Sequence, residues 1–582
     1  TMDAGVEGVI STKKIAAEMG CKAFGAGLNE TEAPEPVYLE EAGGIGMFGV
    51  SYMAECIPAT ATEPGIFRWD DLDYIKRRID EIKARCRWCV IVSHGGEEFT
   101  SLPSPYGVGT MGKAAYQFVD FLKKAGQHYW QILPVTPTGF GDSPYQSCST
   151  YAGNPYLIDL DMLVEEGLLK KQELTKIKWS EDPSRVSFGL LYQHRQDVLR
   201  LAYGRFRDQE NLEQFCHTND SWIWDYAMYM ALKEQHGGKP WYQWEETLKF
   251  RDDAALTEAW HQLEPEIRFH CFVQYLFDRQ WEHLKAYAHE SGVKIIGDVP
   301  IYVPLDSADV WSNPHLFDLD ESLDPVAVAG CPPDGFTADG QTWGNPLYRW
   351  TYLRLRGYDW WVERMRHMAK MYDVIRIDHF IGFANYYSIP YGAPNARGGK
   401  WVVGPGKSLF RTFNKKLPGI NIIAEDLGCL SDRVFKLLDY VKYPGMKVLT
   451  FAFGGDDGNP HLPANYATNC VAYTGTHDND TVLGWVSTQD ENTLNHAKRV
   501  LGFDKPEDAP EAFIRAVMDS KADTAMFPMQ DILHLPGSAR MNLPGTIGGN
   551  WLWRMLPGAA TQEIAQHLRE LNNTYHRGKN QA

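Results

Sequence analysis

The sequence predicts an α/β protein whose working part is a parallel sheet wrapped by helices, and three observations carry that expectation. Short apolar runs recur at domain scale and end in polar or acidic residues: Trp130–Val135, Lys294–Val299, Asp373–Asp378, Asn421–Glu425, Cys470–Asp478 and Thr524–Asp531. Segments of helical periodicity lie between them, among them Ile267–His289, Tyr352–Met371, Ser431–Val441 and Asp508–Met518. Apolar strands alternating with helices imply a parallel sheet, and the acidic residues fall at the strand C-terminal ends, where such sheets and barrels place their chemistry.

Taken in chain order, residues 1–98 read as a small α/β piece of their own. It has a helix around Ser11–Met19, a strand at Ile45–Val50, a charged helix around Asp70–Arg85 and a strand at Val90–Val92. The texture changes at Leu102, where the strand and helix rhythm begins. Residues 165–260, rich in Trp, Tyr and charge, break that rhythm and read as a helical insertion into the second part, 99–582.

Composition narrows the function. Of the 582 residues 44% are hydrophobic, 23% charged and 13% aromatic, with 19 Trp and 29 Tyr, which is more aromatic surface than packing alone requires. Sugar-binding clefts use such a surplus. A formal net charge of −18 argues against nucleic acid as a partner, because that binding rests on cations meeting phosphates. The ten cysteines are scattered, and the close pair Cys86 and Cys89 lacks a second pair at zinc-ribbon spacing. Neither a signal peptide nor an apolar run of the roughly 18 residues needed to cross a membrane is present, so the expectation is a cytoplasmic protein without a membrane partner.

Four strand ends carry the chemical signal: Gly297-Asp298-Val299-Pro300, Arg376-Ile377-Asp378-His379, Ala424-Glu425-Asp426-Leu427-Gly428 and Thr474-Gly475-Thr476-His477-Asp478-Asn479. Cleaving a glycosidic bond with retention needs one ionised carboxylate and one protonated carboxyl roughly 5–5.5 Å apart. Adjacent strands supply such a pair. Arg376, two residues before Asp378, projects to the same face of its strand, where its charge keeps that acid ionised. Glu425 is the candidate for the protonated partner. Each acid taken singly reads equally well as a cap of the helix that follows it. Metal chemistry is the other reading of the same residues, but the histidines show no ligand spacing such as HExxH.

Ten blocks in order resemble the 4-α-glucanotransferases, or amylomaltases, of glycoside hydrolase family 77. They are SLPSPYGVGTMG (101–112), WQILPVTPTGFGDSPYQ (130–146), YAGNPYLIDL (151–160), IIGDVPIYV (295–303), PPDGFTADGQTWGNPLY (332–348), VIRIDHFIGF (374–383), IIAEDLG (422–428), YPGMKVLTFAF (443–453), YTGTHDNDT (473–481) and PMQDILHLPGSARMNLPGT (528–546). The resemblance implies a (β/α)8 TIM barrel with inserted helical subdomains. It also implies Asp378 as nucleophile, Glu425 as acid/base and Asp478 as the carboxylate that stabilises the transition state, with Arg376, His477 and Asp298 around the sugar at the cleavage point. Tyr145 and Trp343 are placed to contact sugar rings, since an aromatic face matches the apolar face of a pyranose. The turn-rich loop Pro332–Gly340 before Trp343 reads as a lid over the acceptor. The implied reaction moves a segment of an α-1,4-glucan donor to the 4-hydroxyl of an acceptor glucan, with maltooligosaccharides, starch or glycogen fragments as partners. An α-1,4-glucan hydrolase is the alternative, and a silent glucan-binding protein is the reading outside enzymes.

The first part resembles a different family. Asp3-Ala4-Gly5-Val6-Glu7-Gly8, Gly25-Ala26-Gly27-Leu28-Asn29-Glu30 and VIVSHGGEE (90–98) are similar to the metallophosphoesterase-like proteins of capsule and poly-γ-glutamate synthesis. Only His94, with Glu97 or Glu98, stands where that family's metal site would be. These are too few ligands for two metals. Residues 1–98 therefore read as an incomplete α/β segment, dispensable for glucan transfer, and neither metal nor organic cofactor is expected.

Overall fold

The structure is a computed structural model that describes residues 26–27, 37–39, 45–51, 65–66, 88–94, 105–333, 338–428 and 430–577. The chain divides into two compact units, Thr1–Thr100 and Ser101–Ala582. In the first, Ile45–Ser51 pairs antiparallel with Val37–Leu39 and parallel with Trp88–His94, and Ala26–Gly27 pairs antiparallel with Gly65–Ile66. The strand expected at Val90–Val92 is longer by two residues at each end. The helices expected at Ser11–Met19 and Asp70–Arg85 lie outside the described residues, as do Glu97, Glu98 and the side chain of His94.

The second unit holds the parallel strands of a (β/α)8 barrel, seven of them among the described residues: β1 (Tyr129–Gln131), β2 (Lys294–Val299), β3 (Val374–Ile377), β4 (Ile422–Ala424), β5 (Gly445–Val448), β6 (Cys470–Tyr473) and β7 (Thr524–Met526). β1 to β4 pair in sequence order, as do β5 to β7, and every pair is parallel. The backbone N–H of Ala424 donates to the Pro444 carbonyl at 2.9 Å, joining the two sets. β2 shows the logic of a doubly covered strand, with exposed Lys294 followed by five buried residues. A cavity of about 400 Å³ separates β7 from β1 and is lined by Phe118, Leu122, Trp130, Met526 and Leu568.

Helices alternate with the strands on the outside. The apolar pattern at Ile267–His289 belongs to a longer helix, Asp253–Glu290, whose start is fixed by the Asp252 carboxylate accepting from the N–H groups of Ala254 and Ala255. Pro265 lies inside this helix, which is why the periodicity reads as starting after it. The pattern at Tyr352–Met371 is split into Trp350–Leu355 and Asp359–Met371, because Gly357 and Tyr358 both take the left-handed conformation.

One face of the long helix ties down the block YAGNPYLIDL. Gln274 accepts from Gly153 N–H at 2.7 Å and donates to its carbonyl at 3.0 Å. Gln280 repeats the arrangement on Asp159, at 2.7 and 3.1 Å. Both glutamines are buried, so these bonds satisfy main-chain groups that no water reaches. Gly153 has no substitute there, since a Cβ would stand 2.1 Å from the Phe277 ring. Between Lys170 and Asp253 lie the helices Phe188–Arg205, Gln209–Thr218 and Ile223–Gln235. A four-stranded antiparallel sheet, ordered Lys400–Val403, Asn385–Pro390, Ala327–Cys331, Gln341–Pro346, carries Trp343. The apolar-run pattern did not announce that sheet.

Candidate active site

The pairing register decides which side chains meet. Arg376 on β3 is level with Asp298 on β2, and Ile377 is level with Ala424 on β4, so Asp378 and Glu425 follow side by side as two neighbouring strands end. Parallel strands in register point level residues to the same face, and residues two apart along a strand share that face. Asp298, Arg376 and Asp378 therefore converge inside the barrel. Gly297 lets β2 approach the Tyr372 ring, where a Cβ would lie 2.3 Å from it.

Arg376 is the fixed charge of the site. Its Nη1 donates to Asp298 Oδ2 at 2.5 Å and to Asp378 Oδ1 at 3.1 Å, with the guanidinium only 3% exposed. The same Asp298 oxygen accepts from the Tyr145 hydroxyl at 3.0 Å. Tyr145 in turn stacks on His477, with centroids 5.1 Å apart and planes at 22°, and Trp551 closes against both rings. Tyr145, His477 and Trp551 thus form one aromatic wall beside the carboxylates.

The two central acids sit in different surroundings. Burial lifts Asp378 to about 6, opposed by Arg376 and supported by the charges of Asp298 and Asp478. Burial also lifts Glu425, to about 8, with the Asp378 charge adding to the rise and Arg376 opposing it. The larger shift belongs to Glu425, which is 7% exposed, whereas the Asp378 side chain is 30% exposed and touches the guanidinium directly. Arg376 alone does not hold Asp378 at its ordinary value, as the sequence spacing suggested; burial outweighs it, and what survives is the order of the two acids. Glu425 is held by main chain, with Leu427 N–H donating to Oε1 at 2.7 Å and His379 N–H donating to Oε2 at 2.8 Å.

Asp478 stands after β6 and is braced from a distant part of the chain. The Asn542 amide donates to its Oδ1 at 2.6 Å, and Arg540 donates to its backbone carbonyl at 2.5 Å. The N–H of Asn542 also reaches the carbonyl of His477 at 3.0 Å. Trp343 lies on another side, its ring edge-on to His379 at 4.9 Å. Of the lid expected at Pro332–Gly340, residues 334–337 lie outside the described residues.

All eight residues singled out from the sequence are described; Asp298, Arg376, Asp378, Tyr145, His477 and Asp478 form one linked group, and Glu425 and Trp343 join it through His379. Sequence reasoning missed Arg540, Asn542 and Trp551. The first two stand in the quoted block ending SARMNLPGT, but nothing in that block says its amide will reach a carboxylate some sixty residues earlier in the chain. Among the described residues no three His, Cys, Asp or Glu side chains gather as metal ligands would. No helix among them is long and apolar enough to cross a membrane.

A parallel barrel with carboxylates at the ends of neighbouring strands, one beside a buried guanidinium and one raised towards neutrality, defines the class of barrel enzymes that work on glycosidic bonds. The chain belongs to the 4-alpha-glucanotransferase family, glycoside hydrolase family 77, whose model matches residues 98–560. It is 45% identical over 482 residues to a 4-alpha-glucanotransferase of Clostridium butyricum, covering 82% of this chain and 99% of that one. It is 46% identical over 491 residues to a 4-alpha-glucanotransferase of Thermus thermophilus, covering 81% and 96%. The solved amylomaltase of Streptococcus agalactiae in complex with acarbose superposes with a TM-score of 0.80 at 41% identity, covering 83% of this chain and 98% of that one. Residues 1–122 match the family model of bacterial capsule synthesis proteins.

Proposed function

We propose that this chain transfers a segment of an α-1,4-glucan to the 4-hydroxyl of an acceptor glucan or glucose by double displacement, with Asp378 as nucleophile and Glu425 as acid/base. Asp378 attacks the anomeric carbon while Glu425 protonates the leaving 4-oxygen, and a glycosyl ester on Asp378 results. Glu425, now ionised, takes the proton from the acceptor hydroxyl, whose oxygen displaces Asp378 with net retention. Asp478, together with Asp298 and His477, binds hydroxyls of the sugar being transferred, and Tyr145 supplies an aromatic face beside it. Trp343 serves the acceptor side. The hydrolase alternative differs only in which hydroxyl Glu425 deprotonates, and family membership favours the glucan.

The observation that carries the reading is the register of β3 on β4, which ends Asp378 and Glu425 together with the guanidinium on Asp378 alone. The required machinery lies within Ser101–Ala582, so residues 99–582 are expected to act without the first segment. The test is chromatography of products from maltotriose. Transfer gives glucose and a ladder of longer chains, hydrolysis gives only shorter sugars, and Asp378→Asn should give neither. A ladder of wild-type intensity from Asp378→Asn would sink the assignment.

A further inference from the structure

His379 follows Asp378 directly and takes a left-handed backbone, φ 50° and ψ 44°. A side chain in that region is uncommon, and where it persists at a site the surroundings hold it there. Here the reward is visible. The turn aims the His379 N–H at Glu425 Oε2, 2.8 Å away, and the next N–H, that of Phe380, reaches the Glu425 carbonyl at 3.1 Å. With Glu425 N–H donating back to the Ile377 carbonyl at 3.1 Å, two main-chain bonds and one to the carboxylate lock the end of β3 onto this one residue.

The ring does a second job. It lies edge-on to Trp343 at 4.9 Å and tilted against Tyr302 at 6.4 Å, and Gly382 leaves it room, since a Cβ there would lie 3.1 Å from its Cδ2. Burial depresses the imidazole to about 4, so it stays neutral at working pH. Its Nε2 has no hydrogen-bond partner among the described residues and no access to solvent. The ring is therefore not a proton carrier. Its neighbours tie the indole of Trp343 to the same short turn that holds Glu425.

We infer that His379 is the positioning residue of the acid/base Glu425, orienting its Oε2 through its left-handed main chain, while its ring packs separately on Trp343 and Tyr302. The inference rests on Glu425 being the acid/base. The groups that set the titration of Glu425 are Asp378 and Asp426, which raise it, and Arg376 and the Leu427 N–H, which lower it; the His379 N–H favours the ionised form as well. Losing that N–H moves the alkaline limb of the rate profile to higher pH.

Three variants separate backbone from ring. His379→Gly and His379→Asn both accept the left-handed region, whereas β-branched His379→Val resists it. The expected result is an alkaline limb at its wild-type position in Gly and Asn, and about 0.5–1 pH unit higher in Val, with kcat for Val down about tenfold to a hundredfold and KM changed less than threefold. If Val does not fold, His379→Ala replaces it and should show the same direction with a smaller shift. Equal limbs in all variants, or a loss confined to KM, would overturn the inference. Glu425→Gln is assayed beside them with an α-maltosyl fluoride donor, whose leaving group needs no acid. Retained release of fluoride supports Glu425 as acid, and its loss points to failure of that assignment rather than of the role of His379.

Discussion

Arg376, in β3, donates to Oδ1 of Asp378 just past the strand's end at 3.1 Å, so one guanidinium serves the proposed nucleophile and, through the same nitrogen, Asp298. Replacing it by Met leaves the buried carboxylate of Asp298 and the partly exposed one of Asp378 without their cation, and breaking a buried pair costs about 3–5 kcal/mol. If half of that falls on the transition state, Arg376→Met lowers kcat/KM by about tenfold to seventyfold. Because Arg376 pulls Asp378 downwards, its removal raises that acid further, and the acidic limb of the profile moves to higher pH. Steady-state rates on maltotriose from pH 4 to 9 check both; an unmoved acidic limb would contradict the electrostatic role.

The unmodified enzyme should show a bell. In the proposed mechanism Asp378 attacks ionised, so activity should fall as pH drops through about 6, and Glu425 acts protonated on the leaving group, so activity should fall as pH rises through about 8. The values belong to an interacting pair, and kcat/KM reports them as the two limbs of the free enzyme. A plateau extending to pH 10 with no alkaline limb would show that Glu425 is not the group whose protonation matters.

Much of this site is legible in the sequence because strand ends announce themselves. An apolar run ending in a polar or acidic residue marks the strand, its direction and its C-terminal end: Asp378 and Glu425 directly follow β3 and β4, Asp298 is the penultimate residue of β2, and Asp478 comes in the loop after β6. The spacing of Arg376 and Asp378 also survives, since period two along a strand is geometry rather than preference. What the runs do not carry is where the loops beyond the strands fold back, and such a loop, the one after β1, brings Tyr145 to Asp298 from 153 residues away. Asn542 was equally hidden, because it comes from irregular chain with no periodicity to read. The antiparallel sheet holding Trp343 escaped for a related reason: its strands are short, partly exposed and interrupted by turns.

Asn542 donates to Asp478 Oδ1 at 2.6 Å, and in the proposed mechanism the other carboxylate oxygen meets a sugar hydroxyl. Asn542→Ala frees the carboxylate to rotate and should lower kcat about tenfold, a loss on the scale of a hydrogen bond to a charged group. Asn542→Asp sets a second negative charge against the first and should be worse by about another tenfold. The order Asn, Ala, Asp in kcat, read on maltotriose with melting temperatures alongside, is the diagnostic. An Asp variant as active as the Ala variant would remove Asn542 from the site.

Gln274 tests the frame rather than the chemistry. Its carboxamide accepts from the N–H of Gly153 and donates to the carbonyl of the same residue, and the side chain is 2% exposed. Gln274→Leu keeps the volume near that of the wild type but leaves both main-chain groups dry and unpaired. Each such orphan costs about 1–3 kcal/mol, so the variant should lose about 2–6 kcal/mol. Gln262, on the exposed face of the same helix, provides the control, and Gln262→Leu should stay within about 0.5 kcal/mol of the parent. The comparison is made by urea unfolding of both variants and the parent under matched conditions, with thermal unfolding at one fixed scan rate alongside. Equal stability of the two variants would mean that Gly153 finds other partners, and that the helix does not fasten this segment through Gln274.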